Sequence, residues 1–149
     1  MTFTEQELAY LSTQRLGRLA TIAPDGFPQN NPVGFWINTE LGTVDIGGHR
    51  MGASRKFQSV QANPKVSFVV DDIASLKPWR VRGVEIRGEA ESLVDQEPPS
   101  PGFSREIIRI HPRRIRVWGL DEREPYGAAR TIRERRHPHR SEPASRRED

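Results

Sequence analysis

What most constrains the fold of this chain is that its apolar residues come in short runs of period two, each closed by a turn signal. Residues 18–23 (Arg-Leu-Ala-Thr-Ile-Ala) alternate polar and apolar side chains and stop at Pro24-Asp25-Gly26-Phe27. Alternation of that kind places every second side chain on one face of a half-buried strand. In the turn, proline presets one dihedral and glycine accepts a positive one. A second strand over residues 29–37 then pairs back antiparallel, a turn follows at 38–42, and residues 43–46 make a short third strand. Residues 66–70 read as an apolar strand ending at Asp71-Asp72, and residues 80–93 as a long one with bends at Gly83 and Gly88. Ile107, Ile110, Ile115, Val117 and Trp118 supply a final hairpin or strand pair.

Only two helices interrupt this pattern. Thr4 and Glu7 have the spacing of a capping box, followed by Leu8 and Leu11 on one helical face, with Gly17 as a stop. Residues 54–62 read as a short helix ended by Asn63-Pro64. Strands do not alternate with helices as a parallel sheet demands, so the expected fold is mainly β, an antiparallel barrel. A single domain over residues 1–120 is expected. Residues 95–102, DQEPPSPG, form a connector within it. Residues 121–149 are rich in charge and poor in apolar side chains, so they are expected as a tail, disordered or packed on a partner subunit.

Composition removes several classes. There is no cysteine, hence no disulfide framework, thiolate metal site or cysteine nucleophile. No apolar run reaches the roughly 18 residues a transmembrane helix needs, and residues 1–7 carry acids without a basic leader. A cytoplasmic protein without membrane contact is expected. The 23 basic and 20 acidic side chains leave a net charge of +3, and Lys56, Lys65 and Lys77 are the only lysines. Arginine suits bidentate binding of phosphate and carboxylate, so the balance leans toward an anionic ligand. The basic tail around Arg130–Arg136 is interspersed with acids and lacks aromatic stacking partners, which argues against nucleic acid. His111, His137 and His139 have no acid or third ligand at fixed spacing, so no metal site is expected.

The segment richest in chemistry runs from Gly47-Gly48 through His49, Arg50, Met51, Gly52 and Ala53 to Ser54, Arg55 and Lys56. A strand enters a glycine-rich loop that opens a helix, where unpaired amides and the helix dipole favour an anion. Arg50, Arg55 and Lys56 add mobile positive charge, and Ser54 offers a hydroxyl donor. A solvated basic helix end has the same composition, and the segment alone does not separate the two.

The longer string from Ser54-Arg55-Lys56 to Asn63-Pro64-Lys65-Val66-Ser67 resembles the pyridoxamine 5′-phosphate oxidase-like flavin-binding split-barrel family. Gly17-Arg18-Leu19-Ala20-Thr21-Ile22 with Asp25-Gly26 is similar to that family's first hairpin, and Val84-Glu85-Ile86-Arg87-Gly88-Glu89-Ala90 to a later strand. Residues 110–120 resemble the closing strand of its branch that uses the deazaflavin F420. The likeness spans about residues 4–120. It implies a split β-barrel homodimer with the cofactor between two protomers. It carries phosphate binding to Arg55 and Lys56, phosphate and ring contacts to His49 and Arg50, ring-edge contacts to Gln29, Asn30 and Asn31 with Val33 beside them, and a further ring contact to Gly83.

Departures from the family pattern narrow the activity. The oxidases carry a basic residue at each end of a strand-two motif, where this chain has Gln29-Asn30-Asn31-Pro32-Val33-Gly34, and their C-terminal Arg-rich substrate motif is missing. Pyridoxine phosphate oxidation is therefore not expected. The branch implies an F420-dependent reductase of a small organic substrate, with FMN as the alternative cofactor. A non-enzymatic flavin- or tetrapyrrole-binding module is the rival. F420 carries more anionic groups than FMN, and His49, Arg50, Arg80 and Arg82 are the expected cations for them. No catalytic side chain stands out, because the cofactor itself transfers hydride. Trp36, Trp79 and Trp118 are candidates to wall the ring or to pack.

Overall fold

The computed structural model describes residues 1–123 and 126–133. Helix α1 (Glu5–Ser12) begins at the expected capping box: the Glu7 amide donates to Thr4 Oγ1 and the Thr4 amide donates back to the Glu7 carboxylate, each at 3.1 Å. It turns Tyr10 and Leu11 into the core. Strands β1 (Leu16–Ile22) and β2 (Pro28–Gly34) form the first hairpin, with Gly26 at φ +86° where a side chain would be strained. Next come β3 (Trp36–Asn38), β4 (Thr43–Ile46), a single 3-10 turn at Met51–Ala53 and helix α2 (Arg55–Ala62). The remaining strands are β5 (Lys65–Leu76), β6 (Trp79–Leu93), β7 (Ile107–Trp118) and β8 (Ala128–Thr131).

The strands make one antiparallel sheet in the order β2-β1-β5-β6-β7-β4-β3, with β8 also on β7. Its two ends, β2 and β3, are adjacent in the chain and separated by Phe35 alone. Laid flat, six strand spacings would part them by about 29 Å. One linking residue spans no more than about 7 Å between its neighbours, so the sheet must curl until its edges meet. A curled half-barrel is the result. Its interior holds Leu19, Val44, Ile46, Phe68, Val70, Val84, Ile86, Ile108, Ile110 and Ile115, each almost wholly buried, and α2 closes over it with Phe57 and Val60.

Three strand expectations change. Residues 29–37 are two strands because Phe35 turns inward edge-on to Phe68, ring centres 5.3 Å apart. The chain thereby leaves β1 and begins pairing with β4. Strand β5 does not end at Asp71-Asp72, since cations meet both acids: Arg18 reaches Asp71 at 2.7 Å and Arg82 reaches Asp72 at 2.8 Å. Residues 107–118 form one strand, not a hairpin, and its register with β6 shifts at Gly88. A side chain there would lie 2.1 Å from the His111 carbonyl oxygen.

Beyond residue 120, β8 adds to the same sheet, Ile132 packs against the core, and Arg130 forks onto Glu7, its Nη2 2.6 Å from Oε1. The packed chain therefore extends past the boundary expected at 120. Residues 124–125 and 134–149 of the expected tail lie outside the described residues. No helix among the described residues is long and apolar enough to cross a membrane.

Candidate functional site

Strand β4 ends at Ile46, and the glycine-rich loop after it is held by the segment between β6 and β7. The Ser104 amide and hydroxyl both donate to the Gly48 carbonyl, at 2.9 and 3.0 Å, and the Met51 amide donates to Ser104 Oγ at 3.0 Å. Phe103 stacks edge-on against His49 at 4.8 Å and against Trp36 at 5.6 Å. A side chain at Gly47 would come within 3.0–3.1 Å of Phe103 and Pro99, so glycine is what lets the connector approach.

This brace delivers Ser54 to the N-cap of α2. Its hydroxyl accepts from the Phe57 amide at 3.3 Å and donates to the Met51 carbonyl at 2.7 Å. The one hydroxyl proton is thus spent inside the loop, and Ser54 shapes the site without offering the ligand donor expected of it. The first-turn amides of Arg55 and Lys56 have no intrahelical acceptor. Their side chains have no acidic partner among the described residues.

Arg55 and Lys56 face β2 across a cavity of about 630 Å³ lined by Gln29, Asn30, Asn31, Pro32, Arg55 and Lys56. Five predicted residues, distant in sequence, thus come together. The lining carries three amides, two cations and no carboxylate. Gln29 is held from below. Its Oε1 accepts from Ser59 Oγ of α2 at 3.0 Å and from Thr21 Oγ1 of β1 at 3.3 Å.

The other expected residues are elsewhere. His49 is exposed, its Nδ1 3.2 Å from the Gly102 carbonyl oxygen, and Arg50 is exposed on the same loop. Val33 is buried in the core. Gly83 is buried in β6, where an added side chain would lie 2.8 Å from the Trp118 ring. None of these four lines the cavity.

Arg80 and Arg82 line a separate cavity of about 550 Å³ with Tyr10, Thr13 and Gly119. Arg82 is committed there, forked onto Asp72 at 2.8 Å through both Nε and Nη2. The Tyr10 hydroxyl donates to the same carboxylate at 3.0 Å, and its ring lies under the Arg82 guanidinium at 5.0 Å. The Arg82 fork holds the Asp72 carboxyl below the usual carboxylate range, and burial pushes the Tyr10 hydroxyl up. Of the tryptophans, Trp36 lines a third cavity beside the connector, Trp118 covers Gly83, and Trp79 is exposed.

Sequence reasoning missed the residues that position the site, namely Ser104 and Phe103 under the loop and Thr21 and Ser59 under Gln29. The polar member of the alternating run at Thr21 was the one available signal for Thr21. The contacts of the others cross too much chain to leave a local pattern.

A curled antiparallel sheet whose two edges are joined through one residue, with a short helix crossing between β4 and β5, is a split barrel. Residues 3–132 match the pyridoxamine 5′-phosphate oxidase family, and the chain belongs to it. It is 48% identical over 122 residues to a 5a,11a-dehydrotetracycline/5a,11a-dehydrooxytetracycline reductase of Streptomyces rimosus subsp. rimosus, covering 81% of this chain and 86% of that one. Among solved structures, an F420 reductase is 27% identical with a TM-score of 0.52, over 68% of this chain and 88% of that one. A conserved hypothetical protein of Mycobacterium tuberculosis shares the fold with a TM-score of 0.62 at 24% identity, over 79% of this chain and 86% of the other.

Proposed function

We propose that this protein is a reductase that uses the deazaflavin F420 to reduce a small conjugated organic substrate, working as a homodimer. The observation that carries the reading is the pair Arg55 and Lys56, free of acidic partners among the described residues, at the first turn of α2 and facing a cavity whose lining has no carboxylate. Such a lining suits a phosphate, because charge-assisted bonds from cations add to the amides of the helix start. The volume, about 630 Å³, falls in the range of cofactor pockets, roughly 300–1,000 Å³. The amides of Gln29, Asn30 and Asn31 suit the carbonyl-bearing edge of a flavin-type ring. Identity of 48% to a reductase supports an oxidoreductase.

When bound, reduced F420 supplies a hydride, and the protein's part is to bind, orient and shield. Arg55 and Lys56 would hold the phosphate. The β2 amides would set the ring against them, and Ser104 and Phe103 would keep the loop in place. Arg50, exposed next to α2, is the cation left for the additional anions of F420. Arg80 and Arg82 line another cavity and play no part there.

The test is fluorescence titration of the purified protein with F420 and with FMN, followed by turnover. Oxidation of reduced F420 on addition of 5a,11a-dehydrotetracycline or a related conjugated ketone is the expected result. Tight binding without oxidation by any such acceptor would point to a non-enzymatic module, and binding of FMN alone would move the cofactor assignment to FMN.

A further inference from the structure

Thr21 and Ser59 are each 1% exposed, and both direct their hydroxyls at one atom, Oε1 of Gln29. A hydroxyl proton buried away from water needs an acceptor, and neither has another among the described residues. A carbonyl oxygen has two lone pairs and takes both protons. Turned the other way, the amide would offer its NH₂ to the two hydroxyls and strand both of their protons. The orientation of the Gln29 amide is therefore decided by the two hydroxyls. Its Nε2, with no partner among the described residues, is the polar end left for the cavity.

The geometry has a simple origin. Thr21 and Gln29 are directly paired across the β1–β2 hairpin, and so share one face of it. Ser59 lies four residues after Arg55 and three after Lys56, hence on the same side of α2 as the two cations. One helix face thus carries both the positive charge and the hydroxyl that orients Gln29.

We propose that Thr21 and Ser59 are positioning residues that lock the polarity of Gln29, so that the cavity presents an NH₂ donor beside Arg55 and Lys56. The site then selects a ligand edge bearing an oxygen acceptor, a carbonyl or an anionic oxygen, and disfavours an N–H at that point. This rests on the reading of the cavity as the cofactor site.

The experiment measures affinity for F420 and FMN by fluorescence titration at fixed salt, with thermal melting as a check on folding. Thr21→Val with Ser59→Ala should weaken binding by roughly fivefold or more, the worth of about one hydrogen bond. In a Gln29→Leu background the same pair should cause no further loss. Gln29→Glu, which still accepts from both hydroxyls and so preserves the fold, should lose more than tenfold because its donors are gone. Additive losses in the two backgrounds, or unchanged affinity in Gln29→Glu, would overturn the proposal. The Arg55→Ala/Lys56→Ala protein separates the two failures. If it loses affinity while the Gln29 series is silent, only the polarity lock falls. If it too binds normally, the cofactor site is not here and both readings fall.

Discussion

Arg55 and Lys56 carry charge at a helix start without entering the core, so their removal should separate binding from stability. Each charge-assisted contact is worth about 1.5–3 kcal/mol, and surface truncations cost little. Arg55→Ala and Lys56→Ala should each weaken binding of F420 and of FMN by about tenfold or more in the same titration, with the melting temperature nearly unchanged. Glu7 presents the opposite case. Its side chain is 3% exposed and its carboxylate is satisfied by the Thr4 amide and by the Arg130 guanidinium. Removing one partner of a buried pair leaves an uncompensated charge, at a cost of about 3–5 kcal/mol. Water reaches Arg130, whose side chain is 37% exposed, so Arg130→Met should cost somewhat less, about 2–3 kcal/mol by urea unfolding. Binding of F420 by the folded fraction should be unaffected, because neither residue lines the cavity.

At the scale of elements, α1 is fastened to the β5–β6 hairpin by Tyr10, Asp72 and Arg82. The folded Asp72 value lies below its unfolded one, because the Arg82 fork favours the charged carboxylate, so the native state resists protonation. Its contribution is complete above that unfolded value and is lost as pH falls through the depressed folded one. Asp72→Asn should therefore destabilise the protein more at pH 7 than at pH 3. Urea unfolding at the two pH values measures the gap, and an equal gap would speak against the clamp. Strand β8 is the second test at this scale. Composition alone suggests that truncation after Leu120 is harmless. The structure predicts otherwise, because the cut removes the β7–β8 pairing and the cation on Glu7 together. A fall in melting temperature of more than about 8 °C is expected, from a loss above 2 kcal/mol in a domain this size.

Over the whole molecule, the two cavities lined by cations are separate, which bears on the proposed choice of cofactor. Arg50 is exposed on the loop before α2, whereas Arg82 is tied to Asp72 in the other cavity. Arg50→Ala should narrow a preference for F420 over FMN at low salt, and Arg82→Ala should leave the ratio unchanged while lowering stability. Exposed ionic contacts are screened over about 8 Å at physiological ionic strength, so the preference should also shrink as salt rises. Paired titrations at low and physiological salt would show it, and a ratio altered by Arg82→Ala would join the two cavities functionally.

What depends on near neighbours can be read along the chain. The Thr4–Glu7 capping box, the turn at Gly26, the Ser54 cap of α2 and the alternation that buries Val66, Phe68 and Val70 are set within a few residues. The basic pair at the start of α2 is legible for the same reason, whereas its place opposite β2 is a long-range juxtaposition that no local pattern gives. How the sheet closes is set at long range, because Phe35 breaks a strand to meet Phe68, a residue on another strand. Long-range pairing also sets which of the described charges meet an opposite one. Arg82 and Arg55 look alike in sequence, yet Arg82 is neutralised by the acid facing it across β5–β6. Arg130 pairs with Glu7, 123 residues away, and this turns part of an unpromising tail into structure. The polarity of Gln29 belongs here too, since its second hydroxyl lies 30 residues away on a helix. Each of these outcomes follows from sheet register and curvature, which bring together groups that no local pattern relates.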